Sequence, residues 1–301
     1  MKFTVYYPIA HHDSGPDLVS RAGITRVATA IEELGYDAIA FSEHPAPSRE
    51  WLQNGGHQSL DPPAALAFCA AVTSRVRLMT YLLVLPYHNP FVAAKAISTV
   101  DRFSDGRVTC VVGTGYLRSE FEALGVDMGQ RNELFDQTLE VMREAWKGES
   151  VAYAGTGIRA REVVSLPGPA QQGGPPIYVG GNGARSRQRA ALYDGWSPLM
   201  LGAESTKRTR TADLASIDQL AEAIAEVRAL ARKLRGPDAS TYVQVLTPQS
   251  SMREVTEAEH REHLYALAEA GVDDFIVRPP GHNVPSAVSH LERYAKAFIS
   301  D

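Results

Sequence analysis

Three short stretches hold residue types that suit chemistry better than packing. In "AFSEHPAP" (Ala40–Pro47) an acid and an imidazole stand side by side, Glu43 and His44, between the apolar run "YDAIAF" and an exit stiffened by Pro45 and Pro47. An imidazole ordinarily titrates at about pH 6.5, so it can give or take a proton near neutrality. The pair reads as a general acid–base group or as a loop cap. In "VVGTGY" (Val111–Tyr116) glycines flank Thr114. They let the backbone approach a ligand and offer it a hydroxyl, or they simply turn the chain. In "IYVGGNGARSRQRAA" (Ile177–Ala191) a strand runs into Gly180-Gly181-Asn182-Gly183, and a helix opens around Ala184–Ser186. Free N–H groups at a helix start, backed by the helix dipole, bind phosphate; Arg185 and Ser186 add charge and a hydroxyl. An ordinary strand-to-helix turn is the alternative.

Other chemistries lack their residues. No P-loop lysine pattern follows the glycines, and no G-x-S-x-G elbow occurs. The nine histidines are scattered, with no ligand-spaced pair beside a suitable third ligand, so no metal site is expected. "EHREH" (Glu259–His263) sets His260 and His263 three apart on a helix, which reads as a solvated outer face. His11 and His12, just after the first strand, reach the same rim as Glu43 and His44. Trp51, Tyr81, Tyr116 and Trp196 either line an apolar cavity or pack.

The elements that position these residues follow from apolar runs: Phe3–Pro8, Ala38–Ser42, Val76–Leu83, Arg107–Gly113, Pro176–Val179, Gly195–Pro198, Thr241–Leu246 and Asp274–Val277. Several are rich in Val, Ile, Leu and Tyr without alternation, as in strands buried on both faces. Helical segments lie between them. Asp61-Pro62-Pro63 and Asn89-Pro90 open two by N-cap and proline; Gly106 stops the second of these, and Gly148 stops a third. Eight strands alternating with helices predict a single α/β domain over 1–301, a TIM (β/α)8 barrel. An open doubly wound sheet would carry a glycine fingerprint where "AHHDSGPD" stands. In a barrel the C-terminal strand ends share one face, and that is why Glu43 and His44 stand where a strand stops. Insertions are expected at about 45–60, 147–174 (a small hairpin, then a Pro/Gly-rich stretch) and 199–212.

The chain has 301 residues, 44% hydrophobic and 22% charged, ordinary for a globular protein. A net charge of −5 argues against nucleic-acid binding, and "KRTR" (Lys207–Arg210) is too short to change that. No run of about 18 apolar residues exists to span a membrane, and the N-terminus lacks a secretory signal. Cys69 and Cys110 lie in apolar segments and read as free buried thiols. A cytoplasmic location is expected.

"YDAIAFSEH", "LLVLPYHNPFVAAKAISTVDRFSDGRVTCVVGTGYLRSEFEALGV" and "PPIYVGGNGARSRQRAALYDGW" resemble the bacterial luciferase-like superfamily, from Phe3 to about Trp196. The likeness is weakest over Leu199–Pro237. Within the superfamily the chain looks most like actinobacterial oxidoreductases using the deazaflavin coenzyme F420; close relatives use FMN and differ little in motif. The resemblance implies a cofactor ring across the strand ends. It also implies a bulge with a non-proline cis peptide around Thr80, Tyr81 and Leu82 behind that ring. Thr114 and Gly115 would lie beside the cofactor tail, and Gly180, Gly181, Asn182 and Gly183 would cradle its phosphate. His44 would be catalytic, with Glu43 orienting it or bonding the ring. His11, Trp51, Tyr116 and Trp196 would line the substrate pocket. Deazaflavin sugar-phosphate dehydrogenases carry a glutamate shortly after the glycine loop; here Tyr116 takes that place and Glu120 follows later, which weighs against a sugar phosphate. The implied function is hydride transfer between deazaflavin C5 and a small organic substrate, in a homodimer. The alternatives are an FMN monooxygenase consuming oxygen and a non-catalytic flavin or deazaflavin carrier.

Overall fold

Each of the eight apolar runs forms a strand. The computed structural model describes residues 1–10, 12–202, 206, 209–252 and 255–299. Strands β1 (Lys2–Tyr6), β2 (Ala38–Phe41), β3 (Arg77–Val84), β4 (Val108–Gly113), β7 (Ile177–Gly180), β8 (Gly195–Ser197), β9 (Tyr242–Val245) and β10 (Asp274–Val277) close a barrel in the order β1-β10-β9-β8-β7-β4-β3-β2. Neighbours pair in parallel all the way round. Strands β5 (Val151–Gly155) and β6 (Ile158–Val163) form the antiparallel hairpin expected within 147–174.

Alternate residues of each strand face opposite ways. Phe3, Val5, Ile39 and Phe41 point outward into the main core between strands and helices, where Ile97, Leu139 and Leu291 meet them. The inner set is smaller and more polar: Ala38, Ala40, Met79 and Val111, with Thr4, Gln244 and Asp274 at the lower end. There Thr4 Oγ1 and Gln244 Nε2 donate to Asp274 Oδ2 at 2.7 and 2.9 Å, and burial pushes the Asp274 carboxyl up to about 7.

The helix starts follow their caps. Asp61 Oδ1 accepts from Ala64 N–H, and Asn89 Oδ1 from Phe91 N–H. Cys69 and Cys110 are buried and free. No helix among the described residues is long and apolar enough to cross a membrane.

The "EHREH" segment departs from its expected solvated face. His260 is fully buried, between Gln249 Oε1 at 3.3 Å and the Tyr294 hydroxyl at 3.0 Å, and His263 Nε2 sits 3.2 Å from Thr247 Oγ1. Helix Glu257–Glu269 turns both rings toward Phe275 of the barrel wall. Burial holds His260 down at about 4. Positions three apart share a helix face; the inward face won.

Candidate active site

The strand ends β2, β3, β4 and β7 surround a cavity of about 390 Å³ on the C-terminal face of the barrel. His44 lines it, held at the end of β2 by Ser59 of the 45–60 insertion. His44 N–H donates to Ser59 Oγ at 2.9 Å, and Ser59 Oγ donates back to His44 O at 3.0 Å. The ring lies against Trp51 and His57, with centroids 4.5 and 4.9 Å away.

The carboxylate that meets His44 is Glu120, from the short helix Arg118–Ala123 after β4. Its Oε2 is 3.2 Å from His44 Nδ1, and its side chain is 1% exposed. The Tyr87 hydroxyl donates to the same oxygen at 3.0 Å, and Ala46 N–H donates to Oε1 at 3.3 Å. A carboxylate only accepts, so Nδ1 carries the proton and Nε2 remains to take one from a ligand. The later position of Glu120 therefore does not keep it from the imidazole.

Glu43 does not orient His44. It turns back to β3, where Val84 N–H donates to Oε2 at 2.6 Å and His88 Nε2 to Oε1 at 2.7 Å. Burial works to lower the His88 pKa, but the hydrogen bond and charge of Glu43 outweigh it, helped by Asp61, and the net shift is upward. Glu43 still lines the cavity.

Behind the cavity, β3 carries the anticipated bulge. The Tyr81–Leu82 peptide is cis, and the β3–β4 register shifts between Thr80 and Leu83. Leu82 finds room because Gly113 and Gly180 lack side chains. A Cβ on Gly113 would lie 2.5 Å from Leu82 Cδ1, and one on Gly180 2.5 Å from Leu82 Cδ2. Tyr81 and Leu82 reach the cavity, whereas Thr80 does not: it is buried and donates to Val111 O at 2.7 Å.

At the other end lie Thr114, Gly115, Gly181 and Gly183. Gly183 is the N-cap of helix Ala184–Leu192, with no side chain closing the helix start, so its first N–H groups are open to an anion. Ser186 joins them, while the expected charge of Arg185 goes to Asp136 at 2.8 Å; the cations lining this end are Arg131 and Arg210. Asn182 lies beneath the cradle, fully buried. Its Nδ2 donates to Leu199 O and Ala212 O at 2.8 and 2.7 Å, and its Oδ1 accepts from Leu199 N–H at 2.9 Å. It ties the 199–212 insertion to the glycine turn.

Of the expected pocket wall, Trp51 and Tyr116 line the cavity. Trp196 is fully buried under the cradle, its Nε1–H donating to Gly181 O at 2.9 Å. His12 is exposed away from the cavity, and His11, Lys207 and Arg208 lie outside the described residues. Tyr87 and His88 carried no sequence signal beyond their nearness to Pro90, and Ser59 none beyond its place in the 45–60 insertion.

Fold and site together define a (β/α)8 barrel whose C-terminal face pairs an uncapped helix start with a carboxylate-held histidine. The family model for luciferase-like monooxygenases matches residues 1–278, and the chain belongs to that family. An uncharacterised protein of Mycobacterium tuberculosis (strain ATCC 25618 / H37Rv) is 36% identical over 141 residues, 46% of this chain and 50% of the relative. An F420-dependent glucose-6-phosphate dehydrogenase of Microbacterium testaceum (strain StLB037) is 32% identical over 198 residues, 63% of this chain and 54% of the relative. The chain thus spans about half the length of these curated relatives. Among solved structures, a monooxygenase from Streptomyces bottropensis superposes with a TM-score of 0.75 at 21% identity, covering 99% of each chain. An F420-dependent secondary alcohol dehydrogenase, in complex with an F420-acetone adduct, gives 0.74 at 17% identity, covering 99% and 98%. Both share the fold.

Proposed function

We propose that the protein is an F420-dependent oxidoreductase that exchanges a hydride between deazaflavin C5 and a small organic substrate. The observation that carries this reading is a single cavity with an open helix start at one end and the His44–Glu120 pair at the other. When bound, the deazaflavin ring supplies the hydride chemistry. Gly183, Ser186, Arg131 and Arg210 hold the phosphate. Leu82 backs the ring, and Glu43 fixes the β3 end that carries the bulge. His44 Nε2 takes the substrate's proton on oxidation and returns it on reduction. Glu120 is a positioning residue, holding the imidazole through Nδ1. The F420-dependent dehydrogenases among its relatives support F420 over FMN.

Titration of the apoprotein with F420 and with FMN tests the assignment. Tighter binding of F420 is expected, with reversible bleaching of its absorbance by a substrate pair. Oxygen uptake with reduced FMN, faster than any F420 turnover, would overturn it in favour of a flavin monooxygenase; binding without turnover would favour a carrier. We also propose a homodimer, in which a second copy covers exposed Phe103 and Leu166 (65% and 67%); their segments adjoin, since Lys95 Nζ donates to Leu166 O and Arg102 Nε to Gly168 O. Sedimentation checks it.

A further inference from the structure

Arg278 directly follows β10, so its side chain rises from a strand end onto the cavity wall. Its backbone N–H donates to Ser250 O at 2.7 Å, which fixes the residue in place. Its guanidinium lies over the Tyr6 ring, 5.7 Å from the centroid. Around it is an apolar patch of Tyr6, Leu246 and Ile276, with Leu199 and Leu201 packed on. The guanidinium makes no hydrogen bond and no ion pair among the described residues.

Other partly buried arginines of this chain are well supplied. Arg77 donates to Thr109 Oγ1 and Val108 O, Arg107 to Thr73 and Val76 O, and Arg228 to Gly271 O and Asp273. Among the described residues, the acids that share the cavity are already engaged. Glu43 is taken by Val84 N–H and His88, and Glu120 by His44, Tyr87 and Ala46. A half-buried cation kept without a partner in a ligand cavity calls for an anion from the ligand.

The strand order says which ligand. In the closed order β10 stands directly across the barrel from β4, whose end carries Thr114 and Gly115 beside the anion cradle. The glycine turn and helix start at the β7 end thus lie on the far side of the barrel from Arg278. His44, by contrast, follows β2, two strand positions from β10 by way of β1. Two positions are about 10 Å between strand axes, a span for a small molecule.

We infer that the substrate carries an anionic group, a carboxylate or a phosphate, which Arg278 binds while the reacting carbon faces His44. This rests on the F420 reading above. Arg278 is then a specificity-determining residue: the anion sets which end of the substrate enters, and hydride and proton leave from the other end to the ring and to His44 Nε2.

The test uses protein loaded with F420, so that the phosphate cradle is filled, and titrates it with inorganic phosphate or malonate while following cofactor and tryptophan fluorescence. Saturable binding of one of the two is expected, beyond that of chloride at equal ionic strength, and the tighter one identifies the group. Arg278→Gln should weaken it roughly ten- to hundred-fold, and Arg278→Lys should restore part of the loss, as for a charge-assisted hydrogen bond. F420 affinity in both variants should stay within about threefold of the parent. Anion binding unchanged in Arg278→Gln, or no saturable anion binding at all, would overturn the inference. So would a roughly tenfold loss of F420 affinity with anion binding intact, which would give the guanidinium to the cofactor ring. Failure of the parent protein to bind F420 would bring down the F420 reading itself, a result distinct from loss of the anion arm alone.

Discussion

Glu120→Gln should separate proton transfer from cofactor binding. Glu120 Oε1 accepts from Ala46 N–H, a group that can only donate. The glutamine must therefore turn its amide oxygen to Ala46 and its NH₂ toward Tyr87 and His44 Nδ1. The tyrosine hydroxyl can adapt; the imidazole must give up the proton on Nδ1 and carry it on Nε2, where it can no longer act as a base. The charge is lost as well. A carboxylate 3.2 Å from an imidazolium contributes at most about 5 kcal/mol at an effective dielectric of about 20. If about half of that is felt in the transition state, turnover falls roughly 10²-fold, within the usual range for general acid–base groups. The assay is stopped-flow bleaching of bound F420 absorbance, with F420 affinity measured in parallel by fluorescence. Affinity should change less than about threefold, because Glu120 touches His44, Tyr87 and Ala46 rather than the cradle. Glu120→Asp should recover part of the rate. Full turnover in Glu120→Gln, or a loss confined to cofactor affinity, would refute the proton-holding role.

Other perturbations follow from the same structure. In Gly180→Ala the new Cβ would lie 2.5 Å from Leu82 Cδ2 and drive it into the cavity, so F420 affinity should fall roughly tenfold while circular dichroism is unchanged. Unaltered affinity would mean that Leu82 does not back the ring. At Asp274, burial lifts the carboxyl to about 7, above its unfolded value of about 4. From about pH 4 to 7 the folded chain holds a proton that the unfolded chain has lost, and stability falls with rising pH. Asp274→Asn should remove that slope and gain about 1–3 kcal/mol at pH 8, none at pH 4, in urea melts. His88 moves the other way: its raised pKa means that the pairing with Glu43 stabilises fully below the unfolded pKa and fades as pH rises through the folded one. An NMR titration of His88 should give a value above about 6.5, falling in Glu43→Gln, where only Asp61 is left to oppose burial.

The barrel was legible because its signals are local. Apolar runs without alternation mark doubly buried strands, and Asp61, Asn89 and Pro90 mark helix starts within a few residues of themselves. The glycine turn and the helix it opens were legible too, since they are neighbours in sequence. Partnerships across the chain were not. Glu43 adjoins His44 in sequence, yet successive residues leaving a strand diverge, and Glu43 went to β3 while His44 was met from 76 residues away. Burial misled at Trp196 and His260, where residue type allows either a wall or a core and only the packed helices and strands choose. What the sequence by itself determined is the order of strands, the face on which their ends gather and the glycine turn. Only the tertiary structure decided that Glu120 holds His44, that Asn182 ties down a loop and that Arg278 has no ion-pair partner among the described residues. Hydrogen-bond partners are set by side chains meeting within about 3 Å, a distance that chain order does not encode.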